Sequence, residues 1–337
     1  MERPDIHSPK LQEHLHHSMR FALLSFGLIA VIIWILTTQF SETMQINWQE
    51  INWILLIVGW GWMLLSMFAL GWRWKVLLPQ TPTSVSGLFL GSSLAGGLLI
   101  NYALPGPMGE VAAAWLWSQK SKGTLVEGLS TAAIARLLGL FTAAMGSILL
   151  WPWIQVEWEY ANWLLNALLI GITLGGIFLW MIFTLPDAVA AVLQRRISNP
   201  SSKILGLLLQ FTTAFSNLQK QPKSLFFKAI LFSVLGHFAA FLGVYCSILA
   251  LYPNSAILEI AFTYLVGTCC GALAFLFPGS QLPWDGIFAA LLISTAQFDI
   301  SIATQSVLLL RIEQLAMMLV GGISMVYLLQ NIDDSNI

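Results

Sequence analysis

An all-α bundle of membrane-crossing helices is the fold class this sequence predicts, and three observations predict it. Composition is the first: 57% of the 337 residues are hydrophobic and only 9% are charged, where a soluble domain carries about 25% charge. The second is a series of apolar runs long enough to cross the hydrocarbon core, which takes roughly 20 helical residues. The third is an internal repeat of two broken apolar stretches, each followed by a span with a single arginine. Together they describe a polytopic helical bundle with two inverted repeats, each a re-entrant broken-helix hairpin followed by a span.

The elements follow in order. A tail over 1–20 precedes a first run over 21–40, which has no small-x-small cleavage site and reads as a retained helix. Further simple spans are expected at 51–71, 125–150, 160–183, 224–251 and 301–329. The stretch 85–118 is interrupted at Pro105-Gly106-Pro107, and 256–297 between Pro278 and Pro283. Proline removes a backbone donor and clashes with the preceding turn. A break at membrane depth survives only when packed in protein or lining a wet cavity. Both stretches therefore read as hairpins that leave on the side they entered. One transmembrane domain over 21–330 results, with repeats at about 85–150 and 256–330. The segment 187–223 is a cytoplasmic connection, and 331–337 a cytoplasmic tail. Within that connection, 205–215 has amphipathic spacing, suited to the inner leaflet or to a plain connecting helix.

Charge orients the bundle. With two hairpins, 13 of the 15 basic residues fall on one side, among them Arg3, Lys10, Arg20, Arg195 and Arg196. That side is cytoplasmic by the positive-inside rule, so both termini are cytoplasmic. Glu42, Glu50, Glu157 and Glu159 fall outside. Trp48, Trp53, Trp151, Trp153, Trp158 and Trp163 would mark the outer interface, and Trp72 and Trp74 the inner one. Helical spans assign the protein to a bacterial-type inner membrane, since outer-membrane proteins are barrels.

Few charges lie inside the apolar stretches, and those few are spaced alike. Glu110 precedes Arg136 by 26 residues, and Asp285 precedes Arg311 by 26. Three spans between the hairpins reverse the side from which the second one opens. Such an inverted repeat places a binding site at its interface near the midplane. A charge at a helix centre costs about 2.5–3.5 kcal/mol on the insertion scale. Glu110, Arg136, Asp285, Arg311 and Glu313 should therefore face inward, paired or hydrated. The acid–arginine pairs either line a path or lock the hairpins. Arg73, Lys75, Lys120 and Lys122 lie at the inner surface on this reading, where they would gather an anionic headgroup.

These residues carry a family resemblance. Arg73-Trp74-Lys75-Val76-Leu77-Leu78, then Asn101, Leu104-Pro105, Gly109-Glu110 and Arg136, resemble the lysylphosphatidylglycerol synthase transmembrane family, also called flippase-like domain proteins. Pro278-Gly279, Asp285 and Arg311 resemble its second motif, and the likeness runs from about residue 15 to 330. The resemblance implies two opposed re-entrant hairpins and translocation of a phospholipid or lipid-linked headgroup between leaflets. It implies that Glu110, Arg136, Asp285 and Arg311 line the path, with Asn101 at the first hairpin's tip. Two basic positions of the family pattern are here Pro107 and Ala113, and Pro283-Trp284 replaces a glycine-rich run. A less basic path argues against a strongly anionic headgroup. With the last span close to Ile337, the soluble aminoacyl-transferase domain of the full synthases is not expected, nor is synthesis of lysylphosphatidylglycerol.

Other classes have weaker support. A net charge of −1 excludes a strongly basic nucleic-acid binder. No phosphate-cradling P-loop occurs, and no catalytic motif, cofactor site or metal spacing stands out, so the protein does not read as an enzyme. Cys246, Cys269 and Cys270 lie in apolar runs and read as small buried side chains. His7, His14, His16 and His17 read as a solvated tail. Ser92 or Ser93 with His237 could form a serine protease dyad, but packing serines and a hydrogen-bonded core histidine are the better reading. Gly87, Gly91, Gly171, Gly175, Gly267 and Gly271 form three small-xxx-small pairs, suited first to packing within the chain. Membrane lipids are the expected partners. The alternative function is a non-catalytic subunit or enzyme of lipid, hopanoid or polyprenyl-glycan biosynthesis, partnered with other enzymes of that synthesis. The sequence does not fix an oligomeric state.

Overall fold

Ten α-helices and a short 3-10 turn make up the described part of the chain. The computed structural model describes residues 46–79, 81, 83–103, 108–155, 161–184, 203–274 and 281–333. In order the helices are α1 (Trp53–Leu77), α2 (Gly87–Ala103), α3 (Met108–Ser121), α4 (Leu125–Leu150), α5 (Ala161–Thr184), α6 (Lys203–Gln219), α7 (Lys223–Leu251), α8 (Ile257–Ala274), α9 (Gln281–Ala296) and α10 (Ile300–Asp333). No strand occurs among the described residues. Among the described residues, four helices are long and apolar enough to cross a membrane: α1, α4 with its 3-10 extension, α7 and α10. Their outward faces carry large apolar side chains such as Ile54, Ile57, Phe227 and Ile323, which water would penalise and lipid would not. The first expected span, the tail histidines, Arg3, Lys10, Arg20, Arg195, Arg196, Glu42, Glu157, Glu159, Trp158, Pro105-Gly106-Pro107 and Pro278 lie outside the described residues.

Local chemistry sets the helix starts. Asn52 caps α1, its side chain accepting from the Leu55 N–H at 3.3 Å. Thr124 and Glu127 form a reciprocal capping box at the start of α4. Pro283 falls in the first turn of α9, where a missing N–H costs no intrahelical bond. Two three-residue links, 122–124 before α4 and 297–299 before α10, each open on a residue in the left-handed region. These are Lys122 at φ 61° and Gln297 at φ 55°.

The spacing of the two charged pairs extends to these links. The differences 285 − 110, 297 − 122, 300 − 125 and 311 − 136 all equal 175. A shift of 175 residues carries the positions of α1–α4 onto those of α7–α10. The packing has the same correspondence. The equivalent helices α1 and α7 lie along each other, α2 packs on α10, and α8 packs on α4. Within each unit α2 packs on α3 and α8 on α9. At the α2–α3 contact, a Cβ on Gly109 would overlap the Gly97 carbonyl. Gly87 and Gly91 pack on α1, and Gly267 and Gly271 receive Trp284 of α9, so these two glycine pairs serve contacts within the chain. Gly171 has open space around it.

Helix α6 lays Ala214, Ser216 and Leu218 inward and packs on α4 and α5. Two expectations at the end of α1 need correction. The helix continues past Gly71 to Leu77, and consecutive residues there point about 100° apart. Trp72 is consequently exposed, whereas Trp74 is 1% exposed and donates from its indole N–H to the Thr131 hydroxyl at 3.0 Å. Trp74 is a core residue and not an interfacial ring.

Candidate functional site

The two charged pairs anticipated from spacing are ion pairs in the folded chain. Glu110 sits in the first turn of α3 and accepts from Arg136 Nη1 of α4 at 2.5 Å. Its other oxygen accepts from the Asn101 side-chain amide at 2.9 Å. The Asn101 carbonyl oxygen accepts in turn from the Gly109 N–H at 2.6 Å. Asn101 thus caps the start of α3 and holds the carboxylate toward Arg136. In the second unit Asp285 accepts from Arg311 Nε at 2.7 Å and also from its Nη2. Arg311 Nη1 donates to Gln314, and the guanidinium lies 5.1 Å from the centre of the Trp284 ring. Arg311 is buried; the Arg136 side chain keeps about a third of its surface open.

A cavity of about 360 Å³ opens where the two units meet. Asn101, Glu110 and Arg136 line it from the first unit, and Tyr264, Trp284 and Gln314 from the second. Asp285 and Arg311 stand behind Trp284 and Gln314 and do not line it themselves. An adjoining pocket of about 190 Å³ shares Asn101, Glu110 and Arg136.

Arg73 is the largest departure from the sequence reading. It was expected at the inner surface, yet only 8% of it is exposed, and it lines both pockets. The reason is again helical rotation. Arg73 lies two residues before Lys75, so the two point about 200° apart. Lys75 stays at the rim, 4.9 Å from the Trp72 ring centre, and Lys120 and Lys122 are exposed. The Arg73 guanidinium occupies the space a side chain at position 139 would need: a Cβ on Gly139 would overlap Arg73 Nη1. That nitrogen donates to Ser233 at 3.3 Å. Nε has no hydrogen-bond partner, and no carboxylate lies within 4 Å of Arg73 among the described residues.

His237 closes the same side of the cavity. Its Nε2 lies 2.9 Å from the Gly139 carbonyl, which can only accept, so Nε2 carries the hydrogen. Nδ1 lies 3.1 Å from the Tyr264 hydroxyl, which joins α7 to α8. The His237 ring makes no hydrogen bond to Ser92 or Ser93 among the described residues, and Ser93 donates to the Phe89 carbonyl at 2.8 Å. The imagined dyad is not assembled.

Glu313 is buried as expected but does not line the cavity. It lies two residues beyond Arg311 and so faces away from the cavity, 4% exposed. One carboxylate oxygen accepts from Ser247 of α7 at 2.6 Å, and the other has no partner among the described residues. Sequence reasoning gave no role to Gly139, Tyr264, Trp284 or Gln314. Trp284 and Gln314 could have been found, since each flanks a predicted charge within three residues. Among the described residues no cluster of His, Cys, Asp and Glu could hold a metal.

Apolar helices around a cavity lined in part by charged and polar side chains define a multi-pass helical membrane protein. The chain belongs to the family described as the lysylphosphatidylglycerol synthase TM region, which matches residues 22–322. No curated protein and no solved structure matches the chain.

Proposed function

We propose that the protein translocates a phospholipid or lipid-linked headgroup between leaflets of a bacterial-type inner membrane, with both termini cytoplasmic, and that it is not an enzyme. The cavity between the two four-helix groups, lined in part by Asn101, Glu110, Arg136 and Gln314, carries this reading. Charged side chains within apolar helices are costly to bury and by default mark a pathway or site. The exchanged packing of α2 on α10 and α8 on α4 supports two units related by a pseudo-two-fold axis. Their α2–α3 and α8–α9 pairs are then re-entrant hairpins opening from opposite sides. Rocking of one unit against the other would expose the cavity to each leaflet in turn. Lys75, Lys120 and Lys122 serve as the cytoplasmic collectors of headgroups. Glu110, Arg136, Asn101 and Gln314 meet the headgroup, while Asp285 and Arg311 fix the wall that Trp284 and Gln314 form.

The test uses purified protein in vesicles with fluorescent lipids and a quencher confined to one leaflet. The expected result is flipping of one lipid class by the native protein and its loss in Arg136→Ala and Arg311→Ala. Flipping retained in both variants, each shown to be folded, sinks the mechanism. No flipping of any lipid by folded native protein turns the assignment to a non-catalytic subunit of lipid or polyprenyl-glycan synthesis.

A further inference from the structure

We propose that the cavity binds a phosphate group, and that Arg73 is its anchor. The inference deepens the translocase reading and rests on it for the physiological ligand. A guanidinium stays charged at any accessible pH. Arg73 is more than nine-tenths buried, lines both pockets, and has an unpartnered Nε and no carboxylate beside it among the described residues. The cavity lining holds two arginines, Arg73 and Arg136, against one carboxylate, Glu110. His237, held by the Gly139 carbonyl and the Tyr264 hydroxyl, brings no negative charge to the lining. One positive charge is therefore left over inside an apolar bundle, where an uncompensated ion is strongly unfavourable.

The surroundings keep that cation in place. Ser233 holds one guanidinium nitrogen, and the glycine at 139 leaves room for it. A planar fork with free donors matches the oxygens of a phosphate. Arg136 shares the lining and can meet the same group from the other side.

The experiment measures binding without transport. Thermal unfolding of the full chain in detergent is followed against phosphatidylglycerol, against phosphatidylcholine with the same acyl chains, and against sodium phosphate at constant ionic strength. Both lipids carry a phosphate, but only phosphatidylglycerol is net anionic and can neutralise the leftover charge. We expect phosphatidylglycerol or phosphate to raise the unfolding midpoint more than phosphatidylcholine does. The concentration needed should rise by about tenfold in Arg73→Gln, as for a lost charge-assisted hydrogen bond. Arg73→Lys should fall between. Gly139→Ala, which displaces the guanidinium and leaves every charge in place, should weaken binding several-fold even if Arg73→Gln fails to fold. Protection by phosphatidylglycerol alone assigns the site to a lipid headgroup; protection by phosphate as well assigns it to free anions too. Native-like binding of these additives in both folded Arg73→Gln and folded Gly139→Ala, or no protection by any of them, overturns the proposal. Arg73-dependent binding without flipping would overturn the translocase reading alone. Flipping with binding indifferent to Arg73 would overturn only this one.

Discussion

At the scale of residues, the two acid–arginine pairs invite a test that separates structure from transport. Asp285 and Arg311 are bonded through two guanidinium nitrogens. Removing one partner leaves a buried charge uncompensated, at about 3–5 kcal/mol. Asp285→Leu alone should lower the unfolding midpoint strongly, and Asp285→Leu with Arg311→Met should recover most of the loss. If flipping also recovers in the double variant, the pair is a lock only. Asn101→Ala removes a helix cap and a carboxylate donor together. It should cost about 1–2 kcal/mol, read as a lower midpoint in the same assay. The pairs were legible because charges are scarce in the apolar stretches and both spacings are 26 residues. Arg73 was misplaced because hydropathy ends the span at Gly71 and carries no record of which way each later side chain turns. The His237–Tyr264 contact joins α7 to α8, and no periodicity within either helix encodes it.

At the scale of elements, the links before α4 and α10 share an unusual backbone feature. Lys122 and Gln297 both adopt positive φ, which costs an L residue roughly 1–2 kcal/mol. Gln297→Gly should therefore raise stability by about 0.5–1 kcal/mol, after the greater unfolded-state entropy of glycine is deducted. An unchanged or lower unfolding midpoint would contradict that. The helices themselves were legible from apolar runs: expected spans at 125–150 and 224–251 are observed as α4 and α7 within one residue. The short arms α2, α3, α8 and α9 were legible as apolar segments flanking proline, though the prolines at 105, 107 and 278 lie outside the described residues. The contact of α1 with α7 was not, because neither helix marks it with a charged landmark. Arg73 corresponds to Ile248 on the 175-residue register.

At the scale of the whole molecule, each unit buries its faces against the other. α2 needs α10, α8 needs α4, and α1 needs α7. Cutting the chain between Thr184 and Lys203 should give two halves that are separately degraded. Expressed together, they should be recovered as one complex by affinity capture of either. Independent stability of either half would contradict this mutual dependence.

The mismatch between Arg73 and Ile248 has a directional consequence. Two perfectly equivalent units would make the inward-open and outward-open forms equal in energy. Here the surplus cation belongs to α1 alone. On the translocase reading, a charge held by one unit breaks that degeneracy, so the resting protein favours one side of the membrane before any ligand arrives.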